Sequence, residues 1–468
     1  MTPALRIDGL TVRYPARREP ALTDLSLTVE PGERVGITGR TGAGKSTVAL
    51  AAAGLLPRVV RAAVSGGVLV GESDALRAAP GDLLGRVGIV FASTAEQLSG
   101  SKPTVREELA FGLENLGVPR AEMDPRIDAV LADLGIADLA DRAPASLSGG
   151  EQQRVAIASI VAMGPGLLVL NEPTAELDPD GTAAVAALLD RLSAGGTTIV
   201  CVEQDRTVLE GCGRIVILDD GHVVERGPSR PPIGPLAWTA GPGRTGATVS
   251  LDRLGFDYPN GIKALREVSL EVRAGERVAL VGTNGSGKTT LAKHLIGLLR
   301  PTSGRVLIDG VPTDDRTVRA LARTVGFAFP DPGHQLFERS VEREVGFGPR
   351  HLGRTDTEVA GLVAAALAMT GLTGERTTNP YDLDRSVRKL VTLAGVLAMD
   401  PALLVLDEPT TGQDPEGVER VGRIVEAMAA AGRTVIAITH DPAFAERWFD
   451  RTVVMAAGRT VDRPRPGA

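Results

Sequence analysis

Residues 39–47 read GRTGAGKST, and residues 282–290 read GTNGSGKTT. In both, Gly-x4-Gly-Lys-Ser/Thr follows a strand-like apolar run and opens a helical stretch, the context that makes this spacing a phosphate cradle. Glycines let successive backbone N–H groups converge on phosphate oxygens, and the helix N-terminus adds positive potential. Gly39, Thr41, Gly42 and Gly44 form the first cradle; Gly282, Asn284, Gly285 and Gly287 form the second. Lys45 and Lys288 are expected to reach the β- and γ-phosphates, and Ser46 and Thr289 to ligate Mg²⁺, with Thr47 and Thr290 beside them.

The repetition extends outward from these loops. LLVLNEPTAELDP at 167–179 recurs as LLVLDEPTTGQDP at 403–415, Tyr14-Pro15 as Tyr258-Pro259, and Gln97-Leu98 as Gln335-Leu336. The offset between copies is 244 at the tyrosines, 243 at the lysines, 238 at the glutamines and 236 from Leu147 and Leu383 onward. A slow, one-way drift is what two copies of one fold with small loop deletions produce. The organisation read from it is a first domain at 1–226, a Pro/Gly-rich linker at 227–247 and a second domain at 248–468. The linker, GPSRPPIGPLAWTAGPGRTG, is too rich in Pro and Gly for a regular element. Trp238 within it is expected to pack on a domain rather than to serve chemistry.

Inside each copy, short β-rich runs (Arg34 to Thr38, Val87 to Phe91, Leu167 to Leu170, Thr198 to Val202, Arg214 to Leu218) alternate with helical stretches such as Ala183 to Leu192. This predicts an α/β core with a mostly parallel sheet. The closely spaced opening strands, Leu5 to Val12 and Leu25 to Val29, read as an antiparallel appendage. With 51 Lys+Arg against 58 Asp+Glu, the net charge of −7 argues against coating nucleic acid or an anionic membrane by bulk charge. Two cysteines, Cys201 and Cys212, make neither a disulfide framework nor a four-ligand zinc site, and suit a reducing cytosol. No run reaches the ~18 to 20 apolar residues of a membrane span, and Met1 to Leu10 lacks a signal-peptide layout. A role at a membrane is therefore expected to pass through a partner.

Downstream of the second cradle an apolar strand ends in Asp407 and Glu408. Asp407 stands where a hydrated Mg²⁺ needs a hard oxygen, and Glu408 where a water can be oriented or deprotonated. Asn171 and Glu172 hold these places in the first copy. His440 follows another apolar strand, Thr434 to Ile438, within reach of a γ-phosphate; its counterpart is Gln204. Tyr14 and Tyr258 offer aromatic faces on which a nucleobase can stack. The run Leu147-Ser148-Gly149-Gly150-Glu151-Gln-Gln-Arg154 starts a helix with another anion-receptive N-terminus. Its own copy already has a cradle, so it suggests a surface for a γ-phosphate presented by another domain.

These phosphate loops, the LSGGEQQR run, the Asp-Glu-Pro-Thr strand and the terminal His resemble the ATP-binding-cassette ATPases across nearly the whole chain. Gln97 in STAEQLSGSKPTVREELAFGLENLGVP and Gln335 in DPGHQLFERSVEREVGFGP look more narrowly like the energy-coupling-factor importers, in fused form. The resemblance implies two P-loop NTPase cassettes in tandem, each with a RecA-like sheet, an antiparallel β subdomain and an α-helical signature subdomain. It implies ATP and Mg²⁺ as cofactors, ATP hydrolysis, and pairing of the two cassettes so that each ATP lies between one copy's loop and the other's signature. Partners would be a transmembrane coupling protein and a capture protein for a vitamin or metal ion, with this chain peripheral on the cytoplasmic face of the membrane.

At the constant late offset, Asp407 matches Asn171, His440 matches Gln204, and Leu147-Ser-Gly-Gly-Glu151 matches Leu383-Asp-Arg-Ser-Val387. On the implied pairing all three departures fall on one site: Lys45, Ser46, Asn171, Glu172 and Gln204 with the altered signature. The other site keeps Lys288, Thr289, Asp407, Glu408 and His440 with Ser148 to Glu151. The expectation is one consensus and one degenerate site, because Asn171 is a neutral metal ligand and Asp384 sets a negative charge against a triphosphate. Ala92 and Pro330 stand where the family commonly places a loop glutamine. The competing readings are a tandem ATPase acting on ribosomes or nucleic acid, against which the short linker and acidity speak, and an exporter ATPase, against which the Gln-Leu stretches speak.

Overall fold

The structure, a computed structural model, describes residues 2–15, 19–91, 97–175, 177–204, 206–225, 233–238, 245–259 and 261–464. Ala92 and parts of the Pro/Gly-rich stretch, 226–232 and 239–244, lie outside the described residues. The chain divides into two units, Met1–Arg230 and Pro231–Ala468.

In the first unit the strands Leu167–Asn171 and Thr198–Val202 are buried at every position. A strand covered on both faces reads as an unbroken apolar run, and parallel pairing supplies that cover. They sit side by side in a six-stranded sheet ordered His222–Val224, Arg214–Asp219, Arg34–Gly39, Thr198–Val202, Leu167–Asn171, Val87–Val90. Every pairing in it is parallel except the edge hairpin of the first two strands. Opening strand Leu5–Arg13 instead alternates buried and wetter positions, the mark of an antiparallel sheet with one face on the core. It pairs antiparallel with Leu22–Val29 on one side and Ala63–Val70 on the other. The sheets share a core that includes Leu5, Ile7, Val35, Val48, Val169 and Val200.

The second unit repeats this plan. Its six-stranded order is Val325–Ala328, Leu403–Asp407, Thr434–Ile438, Arg277–Val281, Arg451–Ala456, Arg459–Pro464, and its antiparallel sheet begins Lys263–Val272, Val249–Asp257, Ser303–Ile308. A helical layer follows in each unit: Val105–Asn115, Arg120–Asp133 and Gly149–Val161 in the first, Val341–His351, Asp356–Thr370 and Arg385–Ala398 in the second. The apolar run from Leu362 to Met369 lies inside one of these helices, Asp356–Thr370. Among the described residues no helix is long and apolar enough to cross a membrane.

Trp238 is only 9% exposed and packs into the second unit's core. Its indole N–H donates to Asp400 Oδ1 at 3.0 Å, and the same oxygen accepts from Arg433 Nη2 at 2.7 Å. Ala247, at the other end of the described linker, accepts from Thr434 Oγ1 at 2.7 Å. The Pro/Gly-rich stretch is thus tied to the second unit at two points. Trp238→Phe keeps the ring but strips a donor from a fully buried carboxylate, and it is expected to destabilise the second unit by about 2 kcal/mol. Urea unfolding followed through the remaining Trp448 measures this.

Candidate functional site

In the second unit the adjacent parallel strands Leu403–Asp407, Thr434–Ile438 and Arg277–Val281 end at one edge of the sheet. Residues far apart in sequence therefore meet in the crevice beyond their carboxyl ends. Gly287 caps the helix Lys288–Leu295 with φ 99°, and a Cβ there would lie 2.6 Å from the Ala264 carbonyl oxygen. Gly44 is its counterpart at φ 97°, with the Ala21 carbonyl oxygen 2.4 Å from such a Cβ. Glycine is the one residue free of both penalties.

Lys288 Nζ donates to the carbonyls of Gly282 at 2.7 Å and Thr283 at 2.9 Å, closing the cradle on itself. Thr289 Oγ1 donates to Asp407 Oδ1 at 3.3 Å. Asp407 is 1% exposed, and its Oδ2 has no hydrogen-bond partner among the described residues. A buried carboxylate oxygen left over beside a loop hydroxyl fits a hard divalent cation. Thr289 and Asp407 would be the residues to hold Mg²⁺, which when bound would neutralise and polarise phosphate oxygens. Burial pushes the Asp407 carboxyl up to about 6, opposed by the Thr289 hydrogen bond, reinforced by the Glu408 charge, and opposed again by Lys288 and Lys389.

Glu408 takes a left-handed φ of 49° and donates its N–H to Ile438 O at 2.9 Å. Its Oε2 lies 2.8 Å from His440 Nδ1. Burial opposes charge on His440, but the hydrogen bond to Glu408 and that residue's negative charge outweigh it and raise the imidazole pKa. Such a carboxylate, oriented by an imidazole next to a phosphate cradle, can align a water for in-line attack.

The first unit assembles the same positions with different wiring. Lys45 Nζ donates to Gly39 O and Arg40 O, both at 2.8 Å, and Ser46 Oγ donates to Asn171 Oδ1 at 3.2 Å. Glu172 repeats the left-handed backbone at φ 53°. Gln204 does not take up the role of His440: its Nε2 donates to Gly39 O at 2.9 Å, tying it to the cradle. Tyr14 and Tyr258 each bring a hydroxyl to the helix after the loop, 3.2 Å from Thr47 Oγ1 and 3.0 Å from Thr290 Oγ1. Both rings are half-buried beside the cradle.

Ser148 caps its helix in a reciprocal box: its hydroxyl and N–H donate to Glu151 Oε2 at 2.8 and 2.7 Å, and it accepts from Glu151 N. Asp384 stands at the same N-cap in the second unit with no side-chain cap bond. Next to it, Arg388 lies over the Tyr381 ring and donates to Leu383 O, while the Tyr381 hydroxyl donates to Leu336 O at 2.6 Å. Asn379 accepts from Tyr381 N, so this trio shapes the altered segment. Gln97 and Gln335 turn inward: their Oε1 atoms accept from Phe91 N at 3.1 Å and Phe329 N at 3.0 Å. They staple the ends of the strands before them.

The family profile described as ABC transporter matches residues 22–175 and again residues 265–411. The chain belongs to the ABC transporter family. A Methanosarcina acetivorans protein named as an ABC transporter ATP-binding protein is 34% identical over 98% of this chain and 85% of its own length. One from Caldanaerobacter subterraneus subsp. tengcongensis is 32% identical over 97% and 90%. Among solved structures, cbiO1 from Clostridium perfringens, described as part of the ABC transporter complex cbiONQ, is 36% identical; the match covers 46% of this chain and 86% of that one at TM-score 0.43.

The two halves are thus ABC cassettes, a class of domain that binds ATP with Mg²⁺ and hydrolyses it. Sequence reasoning passed over three residues of these ABC cassettes that touch the site's backbone. Lys389 donates to Glu408 O, Gln413 Nε2 donates to Ser386 O at 2.9 Å, and Glu203 accepts from Thr174 Oγ1 at 2.7 Å and Gln204 N at 2.7 Å. Lys389 within a helix and Glu203 at the end of an apolar strand were polar residues in an otherwise apolar setting, which was the available signal; Gln413, in a polar loop, gave none.

Proposed function

We propose that this ABC protein is the ATPase subunit of an energy-coupling-factor type importer, driving uptake of a vitamin or metal ion through separate membrane subunits. The observation that supports it is an apolar cleft of about 240 Å³ in the second unit, between the edge of the sheet and the helical layer. Phe327, Phe337, Phe347, Val396 and Met399 line it, and Phe337 is 57% exposed. Gln335 and Leu336, residues of the stretch that carries the importer resemblance, form part of the same wall. A cleft of this kind suits the apolar face of a short amphipathic helix, and the occupant proposed is such a helix from a transmembrane subunit. Phe111, the first unit's counterpart of Phe347, is 41% exposed.

On this reading the cassettes close on two ATP molecules, each held by one cassette's cradle and the other's signature. Lys288, Thr289, Asp407, Glu408 and His440 would work with Ser148, Gly149, Gly150 and Glu151 as the hydrolytic site. Lys45, Ser46, Asn171, Glu172 and Gln204 would work with the Asp384 segment as a site that holds ATP and turns over slowly. Closure and reopening would then move the membrane helix seated in the cleft.

Capture of the full-length chain from detergent-solubilised membranes tests the assignment. An integral membrane protein should co-purify, and Phe337→Glu should lower its recovery on the order of tenfold or more, because a charge replaces buried aromatic surface. Recovery with ribosomes and no integral membrane protein would overturn it.

A further inference from the structure

The altered signature segment of the second cassette contains a buried lysine with no counterpart in the first. Lys389 occupies the position of Gln153 and is 8% exposed. Burying an ammonium costs several kcal/mol unless carbonyls or counter-charges replace its water. Here Nζ donates to Glu408 O and Thr411 O, both at 2.9 Å. A cavity of about 20 Å³, lined by Lys389, Leu393, Leu406, Asp407, Gln413 and Val421, lies alongside. It has room for about one water, so the charge acts in a poorly screened setting.

What Lys389 holds is the backbone of the proposed general base. Glu408 sits at φ 49°, a conformation unfavourable for a residue with a Cβ and kept only where neighbours enforce it. Its N–H is fixed by Ile438 O and its carboxylate by His440; Lys389 fixes its carbonyl and, through Thr411, the loop that follows. Gln413, reaching back to Ser386 O, ties the same loop to the start of the same helix. In the first cassette Gln153 Nε2 donates instead to Pro173 O at 3.2 Å, and its Oε1 is buried with no partner among the described residues. The carbonyl of Glu172 therefore does not receive the equivalent bond from position 153.

We infer that Lys389 is a positioning residue for hydrolysis in the second cassette: by bonding the Glu408 and Thr411 carbonyls it sets the angle at which the Glu408 carboxylate meets the attacking water. The departure from the signature pattern at this position is on this account a gain for the catalytic loop of its own cassette. The inference rests on the reading of Glu408 as the base.

The test is steady-state ATP hydrolysis by the full-length chain carrying Lys389→Gln, Lys389→Met or, as a control, Glu408→Gln, with ATP affinity measured alongside. Glutamine is already housed at the matching position of the first cassette, so Lys389→Gln is the variant expected to fold. Its kcat should fall about 10- to 100-fold, the cost of a misplaced reacting group, with KM unchanged, and Lys389→Met should fall further. If Met fails to fold, the Gln result decides alone. Wild-type kcat in Lys389→Gln alongside an inactive Glu408→Gln would overturn the role of Lys389 and leave the base intact. A loss confined to KM in Lys389→Gln would also overturn it. An active Glu408→Gln would instead remove the reading of Glu408 on which it rests.

Discussion

Glu408→Gln is expected to slow ATP hydrolysis by the full-length chain at least about 100-fold, and Glu172→Gln less than about threefold, the first matching the usual cost of a lost general base. Glutamine preserves shape and hydrogen-bonding reach while removing the ability to accept a proton, so folding and nucleotide affinity should be spared. The inequality follows from the wiring of the two cassettes. Glu408 Oε2 is held 2.8 Å from His440 Nδ1, a contact that orients the carboxylate and raises the imidazole pKa. Position 204 offers glutamine instead, with its amide spent on Gly39 O in the cradle. Phosphate release at saturating ATP, with binding measured separately, reads the two losses. Equal losses would remove the division into a hydrolytic and a holding site.

The second large effect runs against the usual expectation for a damaged active site: Asp407→Asn should make the metal-free protein more stable at pH 7.5 while abolishing Mg²⁺-dependent turnover. The Asp407 carboxyl, raised to about 6 from 3.8 chiefly by burial, keeps its proton in the folded chain after the unfolded chain has lost its own. Between roughly pH 4 and 6 the folded state binds more protons, so stability falls as pH rises through that window and the deficit persists above it. At 1.36 kcal/mol per unit the deficit is about 3 kcal/mol at pH 7.5. Asparagine has no charge to bury and can still accept from Thr289, as Asn171 accepts from Ser46 in the first unit. Both tryptophans, Trp238 and Trp448, belong to the second unit, so fluorescence-detected unfolding reports on it selectively. A fall in Tm for Asp407→Asn at pH 7.5, or an unchanged slope between pH 4 and 6, would contradict this account. The first cassette has the relieved form at the same place, and on the proposed reading its cost would be a weaker metal ligand.

Much of this was legible in the residues themselves. The cradles, the acid-ended strand and the repeat are local patterns, written in spacings of a few residues, and local patterns survive reading in one dimension. The strands expected at Leu167, Thr198 and Thr434 are in place because a run buried on both faces has one stable setting, the interior of a parallel sheet. The residue differences at 171, 204 and 384 could be read too, but not their wiring. That Gln204 turns to Gly39, 165 residues away, depends on which strands are neighbours. That Gln97 and Gln335 bond the strand ends could not be read either, since a backbone N–H at a strand end takes whichever acceptor the fold brings near.

The amino-acid sequence by itself determined that there are two phosphate-binding cassettes and which chemical groups each carries. Only the tertiary structure decided what those groups do to one another. Burial of Asp407, the His440 contact to Glu408, the grip of Lys389 on the catalytic loop and the docking of Trp238 onto Asp400 all join residues between 19 and 162 positions apart. Desolvation and hydrogen bonding act over a few ångströms of space, and distance along the chain does not encode them.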